Sequence, residues 1–135
     1  MAHVQIVSTA TRYAHHISSG THAVTADEPV ALGGQDLGMA PFDLYLASLA
    51  ACSAITLRMY AEKKGWELGE FKAELSSKRD DAGRLHVHRT LHASAALTDA
   101  QWERLLEVVA KTPVTLVMRE GASITSARGG SATPG

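Results

Sequence analysis

The chemistry open to this chain begins with one thiol. Cys52 is the only cysteine among 135 residues, so it closes no intrachain disulfide and builds no multi-cysteine metal site; it reads as a free thiol of a reducing compartment. Tyr45, Ser48, Cys52 and Thr56 follow one another at spacings of three, four and four, which on a helix places them along one side. Two readings of that polar stripe stay open. In one, Cys52 is a nucleophile flanked by hydroxyls; in the other it is a small buried hydrophobe, and the hydroxyls bond to carbonyls one turn back.

A cation bears on the choice. Before Arg58 the only Lys or Arg is Arg12. A thiol attacks as its thiolate, which a nearby guanidinium favours, but nucleophilicity falls with basicity and most of that gain cancels. An arginine at such a site must therefore also orient the substrate and stabilise charge on a leaving oxygen. The plainer reading of Arg12 is an exposed charge on a strand. His86, His88 and His92 share one face of another expected strand, a spacing that can supply metal ligands. No cysteine or carboxylate stands in that stripe and the face is the polar one, so it reads as solvated surface, with no metal or cofactor expected. Gly33, Gly34 and Gly38 fit neither the phosphate-loop nor the dinucleotide pattern.

The elements that would carry these residues are marked locally. Gln5 to Ser8, Arg12 to Ile17 and Thr21 to Ala26 are rich in Val, Ile, Thr and Tyr and interrupted by Ser18-Ser19-Gly20, predicting antiparallel strands. Asp27 to Ala40 holds Pro29 and three glycines and predicts a loop. Pro41 and Asp43 suit a helix start, Leu44 to Glu62 is dense in Leu and Ala, and Lys63-Lys64-Gly65 suits the end. Because nearly every side of Leu44 to Leu57 is apolar, this helix is expected to be enclosed by other structure. Alternation through Phe71, Ala73 and Leu75, a turn at Asp80 to Gly83, and alternation through Leu85, Val87, Leu91, Ala93 and Ala95 predict a hairpin. Thr98 with Gln101 resembles a capping box before a second helix, Thr112-Pro113 suits a further helical turn, and Ser123 to Ala127 suits a last strand.

Length and 45% hydrophobic residues allow one domain, placed at residues 1–128 with a flexible Gly, Ser and Pro-rich tail at 129–135. Thirteen Lys and Arg against 14 Asp and Glu give no field that would draw nucleic acid or an anionic membrane. The uncharged run between Asp43 and Arg58 is shorter than the roughly 20 residues of a membrane span, and MAHVQIVSTA does not resemble a secretory signal. The expected location is the cytoplasm.

From Asp27 to Trp66 the stretch DEPVALGGQDLGMAPFDLYLASLAACSAITLRMYAEKKGW resembles the osmotically inducible protein C (OsmC) and organic hydroperoxide resistance (Ohr) family. A glycine-containing loop, a proline with an acidic residue close behind and an alanine-rich helix with a mid-helix cysteine occur there in the same order, and KTPVTL from Lys111 to Leu116 extends the match more weakly. The resemblance implies an α+β fold with antiparallel sheets around a long buried central helix, in an intertwined homodimer with active sites at the interface. It implies a peroxidase of the oxidative stress response, in which the helix cysteine attacks an organic hydroperoxide, becomes a sulfenic acid and releases an alcohol. Cys52 matches that nucleophile, and Arg12 falls in the segment of the family's active-site arginine. The family's second, resolving cysteine matches Thr112, so any turnover needs an external thiol reductant; Thr112 otherwise reads as a helix cap before Pro113. The family's acidic partner follows the proline directly, whereas here Phe42 does and Asp43 comes next, about half a turn out of phase with Cys52. The rival reading is a dimer that binds a small apolar ligand, with Cys52 only lining the cavity.

Overall fold

Proline at the first helical position and a carboxylate two residues later start the longest element as the sequence implies: α1 runs from Pro41 to Lys64, and the Asp43 carboxylate reaches back to accept the Ala40 N–H at 3.1 Å. Gly65 ends it with φ 72°, a left-handed conformation that costs glycine little, and its N–H returns to the carbonyls of Ala61 and Glu62. The computed structural model describes residues 1–130. Ahead of α1 come β1 (Gln5–Ser8), β2 (His15–Ser19) and β3 (His22–Ala26), paired antiparallel in the order β1-β2-β3. After it come β4 (Phe71–Arg79) and β5 (Leu85–Ala93), an antiparallel hairpin in which Leu75 faces Arg89, followed by α2 (Asp99–Val109) and α3 (Pro113–Glu120). The molecule is therefore of the α+β class, with segregated antiparallel sheets and, among the described residues, three α-helices.

The β4–β5 hairpin, α2 and α3 all pack on α1. Leu57, Ala61, Leu68, Leu105 and Val109 form the buried core, with Trp66, Phe71 and Trp102 against it. α1 is long and apolar enough to cross a bilayer by composition alone, but Leu49, Ser53, Leu57 and Ala61 at four-residue spacing are buried against these neighbours, as suits a core helix. The expectation that α1 is enclosed on all sides is met on one side only. Ala51, Ile55 and Met59 form a strip open to solvent, with Ile55 58% and Met59 65% exposed.

The three-stranded sheet packs chiefly on itself and leaves Val4, Ile6, Val7 and Val24 exposed beside or within it. Its link to α1 is the loop from Asp27 to Ala40, organised by one carboxylate. Buried Asp27 accepts the N–H groups of Glu28, Gln35 and Leu37 at 2.7, 3.2 and 3.2 Å. Burial alone would raise its pKa; the three donors, with a smaller contribution from nearby His15, outweigh that and hold it below the ordinary carboxylate value. Gly34 lies so close to Glu28 that a Cβ there would run into the Glu28 carbonyl.

Two local expectations change. Arg12 lies in the β1–β2 turn and not on a strand, because the Thr9 hydroxyl bonds to the carbonyls of Thr11 and Ala14 and holds residues 9–14 as a turn. Ser123 to Ala127 is not a strand: after α3 and Gly121 this segment is exposed and pairs with none of the described strands. Of the expected tail, Gly129 and Gly130 are exposed without regular structure, and residues 131–135 lie outside the described residues. The capping box of α2, with Thr98 and Gln101 bonded reciprocally, is as expected.

Candidate functional site around Cys52

Cys52 is half-buried, one residue from buried Ser53 and one from exposed Ala51. It therefore stands on the seam between the covered and the open strips of α1. Its sulfur lies 3.9 Å from the Thr56 hydroxyl, within reach of a weak sulfur hydrogen bond. The rest of the expected stripe is turned to other uses. Ser48 donates to the Tyr45 carbonyl at 2.7 Å, one turn back, and the Tyr45 ring meets Phe42 edge-on at 6.1 Å.

The cation that accompanies this thiol within the chain is Arg89, which the sequence reading passed over. Arg89 is half-buried on the inward face of β5, where it donates from Nη1 to Ser53 Oγ at 2.8 Å and to Thr115 Oγ1 at 2.9 Å, and from Nη2 to the Val109 carbonyl at 3.1 Å. These acceptors are neutral. Burial lowers the pKa of Arg89, and the nearby Cys52 works in the opposite direction; a guanidinium nevertheless stays charged. A half-buried cation without a carboxylate partner among the described residues thus sits beside the residue next to the thiol. A signal for it existed: in β5 the inward positions are Leu85, Val87, Arg89, Leu91 and Ala93, and one arginine interrupts an otherwise apolar set.

Thr112 occupies the N-cap position of α3, but its hydroxyl does not cap that helix. Buried, it bonds instead to the Val109 carbonyl at 3.3 Å and to Thr115 Oγ1 at 2.6 Å, joining the cluster that holds Arg89. Asp43 serves the first turn of α1, as described above. Arg12 is exposed, with its guanidinium 4.8 Å above the Tyr13 ring, and among the described residues the hydrogen-bonding neighbour of the sulfur is Thr56. His86, His88 and His92 are exposed on the outer face of β5; His86 bonds to Asp80 at 2.7 Å and His92 approaches Glu74 at 3.5 Å.

Two grooves flank the seam. One, of about 460 Å³, is lined by Tyr45, Leu49, Arg84, Arg89, Thr115 and Arg119 among others. The second, of about 660 Å³, includes Thr56, Tyr60, Arg104, Lys111, Thr112 and Pro113. Along α1, Cys52 falls three residues after Leu49 of the first and four before Thr56 of the second. The arrangement offers a thiol accessible from one side, a fixed positive charge, and space for a small molecule on either hand.

Solved structures with the same architecture are numerous. An osmotic stress induced and detoxification response protein from Psychrobacter arcticus is similar with a TM-score of 0.76 at 19% identity, covering 86% of this chain and 87% of that one. The organic hydroperoxide resistance protein OhrB of Bacillus subtilis gives 0.60 at 23% identity over 88% and 90%, and one from Elizabethkingia anophelis gives 0.64 at 21% over 88% of each. At these identities the likeness is one of fold. No curated protein matches the chain by sequence. The family model described as OsmC-like protein matches residues 33–127, from the loop before α1 through α3, and the chain accordingly belongs to the OsmC-like protein family.

Proposed function

We propose that this OsmC-like protein reduces, or senses, organic hydroperoxides through Cys52. The thiolate attacks the terminal peroxide oxygen, the O–O bond breaks, Cys52 becomes a sulfenic acid and the alkoxide leaves as alcohol after gaining a proton. With Thr112 in place of a second thiol, the sulfur is returned by two equivalents of an external thiol, which leave as a disulfide while the oxygen leaves as water. The observation that carries this reading is Cys52 on the seam of α1 beside the carboxylate-free guanidinium of Arg89. The hydroperoxide resistance proteins among the structural neighbours agree with it.

The site is completed across a homodimer in this reading. Ile55 and Met59 on the open strip of α1, with Val4, Ile6, Val7 and Val24 of the N-terminal region, leave apolar surface that a second copy would cover. Arg12, in the β1–β2 turn of the sheet that its own chain leaves uncovered, would then approach the sulfur of the other copy and steady the leaving oxygen. The lone thiol suits the reducing cytoplasm. Mass spectrometry after one equivalent of organic hydroperoxide tests the reading: Cys52 gains one oxygen within seconds. Oxidation no faster than in urea-unfolded protein refutes it. Light scattering on the Ile55→Asp variant, against the wild type, tests whether the open strip is an interface.

A further inference from the structure

The groove on the Leu49 side of Cys52 has an unusual lining. Arg84, Arg89 and Arg119 all contribute to it, with Leu49, Leu85, Val87 and Met118, and no acidic residue does. Four cations elsewhere are engaged: Arg104 pairs with Glu107 at 2.9 Å, Lys72 with Glu74 at 3.4 Å, Arg58 donates to the Gly69 carbonyl, and Arg79 to that of Gly83. Among the described residues neither Arg84 nor Arg119 has an ion pair, and Arg89 binds only neutral acceptors. Three guanidinium-bearing chains around one groove without counter-charge suit an anion, and their planar forks suit a carboxylate above a point charge. The apolar residues between them suit a short methylene chain, and about 460 Å³ is within the usual size of a small-molecule site.

Position adds the chemistry. Arg89 is the half-buried member, tied through Ser53 to the residue beside Cys52, whereas Arg84 and Arg119 are exposed. Cys52 itself does not line the groove, but Leu49, one turn before it on α1, does, so a ligand whose carboxylate lies among the arginines has only to extend past Leu49 to approach the sulfur. We propose that this groove, between Arg84, Arg89 and Arg119, is the site of the reductant, a small thiol bearing a carboxylate. The proposal rests on the peroxide reading above and names its missing partner. Anchored there, the ligand's thiolate attacks the sulfur of the Cys52 sulfenic acid; an S–S bond forms and the S–O bond breaks, with the oxygen leaving as water after taking a proton. A second thiolate attacks the ligand's sulfur in that mixed disulfide, releasing the small disulfide and the Cys52 thiolate.

The test uses the full chain oxidised by one equivalent of cumene hydroperoxide, which carries no charge. Mixed-disulfide formation is timed by quenched mass spectrometry with 3-mercaptopropionate and with its methyl ester. The acid is expected to react at least about tenfold faster than the ester at low salt, the ratio shrinking as salt screens the arginines. In the Arg84→Gln, Arg119→Gln double variant the ratio falls to about one, while oxidation by cumene hydroperoxide is unchanged. A ratio near one in the wild type, or one unchanged in the variant, overturns the assignment. So does a charge preference confined to the oxidation step, seen with carboxylated against neutral hydroperoxides. If Cys52 does not oxidise at all, the peroxide reading fails and calorimetry with glutarate decides the anion site by itself. Binding that the double variant loses supports the site, and no binding to the wild type overturns it.

Discussion

Replacing Arg89 by methionine separates a structural from a chemical role more sharply than any other single change. The substitution keeps a long unbranched side chain but removes three hydrogen bonds and a charge. Each deserted acceptor retains another partner: Ser53 still bonds to the Leu49 carbonyl at 2.7 Å, Thr115 still meets Thr112 at 2.6 Å, and the Val109 carbonyl still accepts from whichever of the two threonine hydroxyls does not donate to the other, each 3.3 Å away. No buried group is orphaned, and the desolvation that burial imposes on the guanidinium is relieved. Hydrogen bonds to a charged donor each contribute about 1.5–3 kcal/mol only while their partners would otherwise go unpaired, and exchanging a buried charge for an apolar chain is often neutral. Unfolding in urea is therefore expected to change by no more than about 1 kcal/mol. The chemistry is expected to suffer more. Unit charges at contact interact by about 4 kcal/mol at an effective dielectric of about 20, and by half that at twice the separation. A cation tied to the neighbour of the thiol, without touching the sulfur, belongs in the lower range of about 1–2 kcal/mol, or about 5- to 30-fold in the rate of Cys52 oxidation. The assay is quenched mass spectrometry with limiting hydroperoxide at low salt, and Arg89→Lys should recover most of the rate. An Arg89→Met protein that melts about 10 °C lower yet oxidises at the wild-type rate would make Arg89 a strut and remove it from the chemistry.

Three further outcomes follow from the same contacts. Leu57→Ala, at a position with no exposure in the centre of the core, should cost about 3 kcal/mol in urea unfolding because the closed surroundings leave a cavity. Asp27→Asn should flatten the acid limb of stability: the folded pKa of Asp27 is depressed, so its contribution is complete above the unfolded value near 3.9 and disappears as pH falls through the lower folded value; thermal melts from pH 2 to 5 measure the difference. Thr112→Cys should yield a disulfide between Cys52 and the introduced thiol on peroxide treatment, read as a loss of two hydrogens in place of a gained oxygen, since Thr112 lines the groove shared with Thr56, whose hydroxyl is 3.9 Å from the sulfur.

What the sequence made legible was local chemistry. Pro41, Asp43 and Gly65 delimit α1 because each satisfies or lacks a backbone group within one turn, and Thr98 with Gln101 does the same for α2. What stayed hidden depends on distant partners. Ser123 to Ala127 has the composition of a strand but no described strand beside it, and alternation alone cannot supply a pairing partner. The strip through Ile55 and Met59 has the composition of a buried face, and only packing decides which side of an apolar helix is covered. Cys52 stands out as a candidate from its uniqueness and its setting in the sequence. Arg89 was identifiable in principle from its inward register in β5, yet its partners Ser53, Thr115 and Val109 come from three other elements, and their meeting is a property of the tertiary fold.

The N-terminal sheet has a consequence for what stability means in this molecule. Its side chains find little cover in their own chain, so under the proposed dimer its free energy of ordering is supplied at association. Melting temperature then becomes a function of protein concentration by the law of mass action, and dilution is expected to loosen β1 to β3 before the α1 body. A cell holding few copies would keep a reservoir of chains with an ordered thiol helix but an unfinished site, so abundance itself would set the fraction able to react.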